Sequence, residues 1–409
     1  MSTEIFTAGS KQASKKQVKG IQAVILKRFS NLKYGSIRIA FTENHAFYIK
    51  GKFDGPRAEI KIENPFSFIK SVALGGDLGF AESYMRGDWS SENMPELLYL
   101  LSLNLDALDS VQQRSLPVKL ISKFQHIRNR NSQLGSRKNI AAHYDLGNDF
   151  YERWLDSSMS YSSAIFDISP DLQKAQERKY ELMLSLIDPE PGDHILEIGC
   201  GWGGFAEYAA NWGMKVTGIT LSKEQYTYAK NRIKNKRLDN LVNFKLMDYR
   251  NIEGQYDHIV SIEMFEAVGQ EYWAEYYRVL NKCLKPGGRA SLQIITIRED
   301  LFDKYLKEAG GFIQQYIFPG GMLPTETHLT ELAWKNNFEP LSIDRYGKHY
   351  ADTLAYWLGA FEKQESWMES NGYDLRFRRM WRYYLSFCEA GFRDDRINLV
   401  HLLMRKEHK

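Results

Sequence analysis

The stretch HILEIGCGWGGFAEYAA, residues 194–210, constrains the fold more than any other part of the chain. An apolar run ends at Glu197 and Ile198, four glycines (Gly199, Gly201, Gly203 and Gly204) fall within six residues, and a helical pattern begins. Such a strand–turn–helix leaves the backbone bare where a ligand can lie against it, at the carboxyl end of a strand. Glycines that merely turn the chain do not need to be so many.

Gly199, Gly201 and Gly204 satisfy G-x-G-x-x-G, which admits a dinucleotide fold. A dinucleotide also needs an acid near the end of the second strand, and that segment reads GITLS, with Thr220 and Ser222. A site for S-adenosylmethionine needs an acid inside the first motif, supplied by Glu197. It also needs a polar residue after the third strand, supplied by Asp248 in LMDYR. The missing second-strand acid weakens both readings, so the glycine run leaves the ligand open.

Around this turn, strand and helix alternate. HILEIG, KVTGIT, LVNFKLM, DHIVSIEM and RASLQIITI read as strands, and 203–212, 222–236 and 270–285 as helices, with KPGG stopping the last. Alternation with apolar strands predicts a parallel sheet covered on both faces. Upstream, YGSIRIAFT, HAFYIKGKF and RAEIKIENP read as short strands, and 65–110 as mixed helix, which together make a small α+β domain. The expected division is 1–110 for that domain, 111–140 for a basic linker and 141–409 for the catalytic domain.

A net charge of +3 is too small for a nucleic-acid reader, but its distribution is uneven. Residues 11–33 and 111–140 contain basic residues and no acid, interleaved with apolar segments such as IQAVILKRF and LPVKLISKF. Either stretch suits an anionic membrane surface or a solvated helix face. Cys200, Cys283 and Cys388 show no metal-ligand or disulfide spacing. No charged-then-apolar leader opens the chain and no apolar run reaches membrane-spanning length, which predicts a cytosolic protein with reduced thiols and only peripheral membrane contact.

Six segments in register, NIAAHYDLGNDFYERWLDSSMSYSSAIF, LEIGCGWGGFAEYAA, GITLSKEQ, MFEAVG, YIFPGGMLP and YYLSFCEAGFR, resemble the cyclopropane fatty acid synthase family and its mycolic acid methyltransferase relatives. The amino-terminal domain resembles that of the full-length phospholipid enzymes. The resemblance implies a Rossmann-like α/β methyltransferase fold with an amino-terminal α+β domain that recruits lipid. It implies S-adenosylmethionine as cofactor, phospholipid acyl chains at the inner face of the cell membrane as substrate, and a homodimer.

Site residues follow from the same resemblance. Tyr161 and Ser162 close over the cofactor. Gly199, Cys200, Gly201 and Gly203 form its glycine loop with Glu197. Thr220, Leu221 and Gln225 are second-strand contacts, and Asp248, Tyr249 and Glu263 complete the cofactor set. In the family the base is a bicarbonate held by a small polar set, matched here by Glu266, Ile295 and Tyr350. Three positions depart from the pattern: Ser163 stands for a cysteine, Gln293 for a histidine, and Ala267 for the histidine after the glutamate. Serine and glutamine can still hydrogen-bond an oxyanion; alternatively, Glu266 acts directly.

The reaction expected is one-carbon transfer to an acyl double bond, giving a cyclopropane or a methyl- or methylene-branched chain. A small-molecule methyltransferase on the same fold and a lipid-binding protein with a vestigial site are the alternatives. Cys388 is read as structural, and His143 as orienting its turn or contacting the ligand.

Overall fold

A computed structural model describes residues 4–7, 20–42, 45–108, 135, 146–307 and 310–408. The basic stretches 11–19 and 111–134, the rest of the expected linker and His143 lie outside the described residues. The chain divides into two compact units: Met1–Gln125 with Gly310–Phe312 and Phe361–Asp394, and His126–Ala309 with Ile313–Ala360 and Asp395–Lys409.

The first unit holds β1 (Glu4–Thr7), β2 (Tyr34–Thr42), β3 (His45–Lys50), β4 (Phe53–Ile62) and β5 (Trp89–Ser90), in the order β1-β3-β2-β4-β5. Alternation sorts the strands: Ile37, Ile39, Ile60 and Ile62 are buried, while Arg38 of β2 faces out and pairs with Glu59 of β4. Asparagine caps start two of its helices, Asn64 before Pro65–Arg86 and Asn93 before Met94–Leu103.

The helix Leu375–Arg393 also belongs to this unit, so the division expected at residue 141 is not the division of the fold. One face of that helix is strongly apolar, burying Trp381, Tyr384, Leu385 and Phe392. Arg393 pairs with Glu96 at 2.8 Å, and its guanidinium lies 4.1 Å from the Tyr99 ring centre. Arg379 donates to the Tyr84 carbonyl at 3.2 Å. The aromatic segment RMWRYYLSF therefore packs in the first unit.

The second unit is a seven-stranded sheet of β6 (His194–Ile198), β7 (Lys215–Thr220), β8 (Val242–Leu246), β9 (Tyr256–Ile262), β10 (Leu284–Ile297), β11 (Phe338–Arg345) and β12 (Ile397–Lys406). Its order is β11-β12-β10-β9-β6-β7-β8. The strands from β6 to β10 are parallel, as the alternation predicts; β12 runs antiparallel to both β10 and β11, which it does not. The helix ends at Cys283, just before KPGG, and KPGG itself lies within β10, which starts at Leu284 and whose register with β9 shifts between Leu284 and Arg289.

Side chains of one strand go to opposite faces, so β6 sends Ile195 into one core and Leu196 and Ile198 into the other. The helices Leu172–Ile187, Gly204–Asn211 and Lys223–Asn235 cover the first, and Trp273–Cys283 and Glu326–Lys335 the second. Among the described residues no helix is long and apolar enough to cross a membrane.

Candidate active site

The turn after β6 is held from below. The N–H groups of Gly199 and Cys200 both donate to the Ile219 carbonyl of β7, at 3.0 and 2.9 Å. Gly199, Gly201 and Gly203 have φ of 87°, 50° and 84°, the left-handed region that favours glycine. A Cβ added at Gly201 would meet nothing within 4 Å, whereas one at Gly199 would lie 3.0 Å from Met264. Cys200 points into the core beneath the turn, so only its backbone faces a ligand.

Glu197 is buried, and among the described residues its Oε2 has no hydrogen-bond partner. Burial pushes its carboxyl well above the usual range, opposed by Lys179. An orphaned carboxylate oxygen beside an open glycine turn fits a cationic, nucleoside-bearing ligand such as S-adenosylmethionine.

At the end of β7 the Thr220 hydroxyl donates to Gln225 Oε1 at 2.9 Å, Ser222 caps the next helix, and Leu221 lies between. Asp248 is engaged by Arg250 through both carboxylate oxygens, at 2.8 and 2.7 Å. The Tyr249 ring packs in the core, 5.3 Å from that of Tyr276. These two residues from the expected cofactor set thus have protein partners of their own.

The polar set converges differently from expectation. The set is expected to hold a bicarbonate, but Ser163, Gln293 and Tyr350 meet Glu263, the first residue after β9. Glu263 Oε1 accepts from the Ser163 N–H and from Gln293 Nε2, both at 2.7 Å, and Oε2 accepts from the Tyr350 hydroxyl at 2.5 Å. The Ser163 hydroxyl turns away to the Ala164 carbonyl. Glu266 accepts the Ile295 N–H at 2.6 Å, and among the described residues its Oε2 has no hydrogen-bond partner. Ile295 thus contributes its backbone.

Each glutamate keeps a little accessible surface, yet protein crowds around both and governs their acidity. Burial raises Glu263, against the hydrogen bonds from Tyr350, Ser163 and Gln293 and the charge of Lys179. Burial together with the Glu263 charge pushes Glu266 up to about 8.

Two residues of this set gave no sequence signal. Lys179 is fully buried; it donates to Ser162 Oγ at 2.7 Å and to Gln176 Oε1 at 2.6 Å, and burial pulls it down to about 8 against Glu263, Asp156 and Glu197. His401 of β12 lies opposite Gln293 of β10, and the two join through His401 Nε2 and Gln293 Oε1 at 2.7 Å. Burial pulls His401 down to about 3, so the ring is neutral and donates from Nε2.

An aromatic group adjoins the polar set. Tyr161 lies 5.3 Å from Trp357, 5.6 Å from Trp154 and 6.5 Å from Phe318, and Tyr350 meets Trp357 edge-on at 6.2 Å. The segment HYADTLAYW, residues 349–357, supplies Tyr350 and Trp357. Among the described residues no cluster of three or more His, Cys, Asp or Glu is arranged for a metal ion.

The parallel sheet, the glycine turn and the unpaired Glu197 define an S-adenosylmethionine-dependent methyltransferase. The chain matches the mycolic acid cyclopropane synthetase family over residues 131–402, and it belongs to that family. It is 33% identical over 382 residues to the tuberculostearic acid methyltransferase UfaA1 of Mycobacterium tuberculosis, covering 91% of this chain and 88% of that protein. It is 34% identical over 356 residues to the cyclopropane-fatty-acyl-phospholipid synthase of Escherichia coli, covering 85% and 88%. Mycolic acid cyclopropane synthase CmaA1, solved with SAH and CTAB, superposes with a TM-score of 0.62 at 30% identity, covering 66% of this chain and 98% of that one.

Proposed function

We propose that this chain transfers a one-carbon unit from S-adenosylmethionine to the double bond of an unsaturated phospholipid acyl chain, working at the inner face of the cell membrane. The observation that carries the reading is the joint at Tyr350. Its hydroxyl holds a crowded carboxylate while its ring abuts Trp357 of the aromatic group. A base beside an aromatic wall is what alkene methylation requires.

Bound S-adenosylmethionine supplies an electrophilic methyl group. An alkene is a weak nucleophile, so Gly201, Glu197, Thr220 and Gln225 serve to fix the cofactor and hold the two reactants close. The acyl chain carries positive charge after transfer. Tyr161 and Phe318, the partly exposed rings of the group, stabilise that charge through their ring faces, and Trp154 and Trp357, buried beside Tyr161, help keep water out. The carboxylate set removes the surplus proton.

The product is a cyclopropane or a methyl- or methylene-branched chain. The altered residues Ser163, Gln293 and Ala267, together with the similarity to a tuberculostearic acid methyltransferase, favour the branched chain as the second reading. Lipids from a host expressing the protein should gain the mass of one CH2 in unsaturated acyl chains, read by mass spectrometry. Unchanged acyl chains in cells that contain the folded protein would reject the assignment.

A further inference from the structure

We propose that the Glu263 carboxylate occupies the position of the bicarbonate and is itself the base, so that the enzyme needs no free anion. This rests on the reading of the chain as an alkene methyltransferase.

The geometry is that of an anion site already filled. The Ser163 N–H and the Tyr350 O–H each have a single proton, and both protons go to Glu263. The Gln293 amide donates to the same carboxylate, and its orientation is set from behind because His401 Nε2 donates to its oxygen. Three donors around one planar CO2 group are what a bound bicarbonate would receive, and the two single-proton donors have nothing left to give a second anion.

The backbone makes the same point. Glu263 has φ of 49°, a left-handed conformation at a non-glycine residue. Such strain persists where the surroundings enforce it, most often at functional sites. The residue also keeps some accessible surface, which a base must have to meet its substrate.

The step balances. Methyl transfer leaves the acyl chain with one positive charge and one proton in excess. Glu263 takes that proton while the released C–H pair closes the ring or forms a new double bond. The resulting carboxylic acid then returns the proton to water.

The test compares wild type, Glu263→Gly and Glu263→Gln in carbonate-depleted and bicarbonate-supplemented buffer. Wild-type turnover should be the same in both. Glu263→Gly, which also relieves the backbone strain, should lose about 100-fold or more in depleted buffer and recover with added bicarbonate. Glu263→Gln, which keeps the volume, should stay inactive in both. Independently of turnover, 13C-bicarbonate NMR should detect binding to Glu263→Gly and none to wild type. Bicarbonate bound by wild type, wild-type turnover that requires it, or an active Glu263→Gln would overturn the proposal. Wild type that turns over but needs bicarbonate leaves the alkene reading intact; wild type with no acyl product defeats that reading, and the binding arm still decides whether the anion position is filled.

Discussion

Glu263 and Glu266 follow the same strand three residues apart, and their partners set them apart. Glu263 accepts from the Ser163 N–H, the Gln293 amide and the Tyr350 hydroxyl, whereas Glu266 is held by backbone N–H groups, with the Glu263 charge nearby. Glu266 is consequently a neutral acid at pH 7, with its carboxyl pushed up to about 8. The linkage has a definite sign: the folded state binds this proton more tightly than the unfolded one, so the stability it confers is present below pH 4.5 and is lost as pH rises to about 8. The loss is at most about 1.4 kcal/mol per pH unit. Glu263 and Glu197 shift in the same direction, so the contribution of Glu266 is isolated as a difference between two proteins. Glu266→Gln should gain stability relative to wild type in denaturant titrations between pH 5 and pH 8.5. Parallel profiles across that range would remove the buried-acid assignment.

At the scale of the element, the turn after β6 is the part of the site most sensitive to substitution. A side chain at Gly201 points into open space, so it interferes with a ligand rather than with the protein. Gly218 is the contrast: a Cβ there would lie 2.7 Å from Phe244 and 2.9 Å from Cys200, making it a packing glycine. Gly201→Val should therefore fold, at a backbone cost of about 1–2 kcal/mol, and lose S-adenosylhomocysteine binding by about 100-fold or more, which is about 2.7 kcal/mol. Undiminished affinity by calorimetry would place the cofactor elsewhere.

The strands and helices around this turn were legible because apolar period and turn residues are local signals. The antiparallel β12 was not, and with it went His401: cross-strand partners depend on pairing that no local pattern encodes. Glu263 was visible as a residue, but its role depends on backbone at a left-handed φ and on donors 30 to 100 residues away. Lys179 reads in sequence like any lysine of a charged helix, and its burial becomes evident only when the helix packs on the sheet.

For the whole molecule, a net charge of +3 conceals two acid-free basic stretches, one of which continues into the described helix Ile21–Phe29 with Lys27 and Arg28 in its last turn. If the acceptor is a phospholipid acyl chain, as proposed, its double bond lies inside a bilayer and the enzyme has to dock before it can act. Attraction to anionic headgroups is worth about 1 kcal/mol per basic residue near the surface. Binding to anionic vesicles should fall steeply with salt, and charge reversal at Lys119, Lys123 and Arg128 should weaken it further without changing cofactor affinity. Equal sedimentation with neutral and anionic vesicles at low salt would contradict this docking mode. The return of Phe361–Asp394 to the first unit also ties the two units covalently at several points, an arrangement that the linear order of the motifs conceals. The central claim is that the acceptor is an acyl double bond. It is tested most directly by supplying S-adenosylmethionine labelled with 13C in its methyl group together with vesicles of unsaturated phospholipid, and recording NMR spectra of the extracted lipid. The expected result is label within the acyl chain and loss of the original alkene proton signals, with upfield ring protons if the product is a cyclopropane. Label confined to the headgroup or to a water-soluble product, with the alkene untouched, would contradict it.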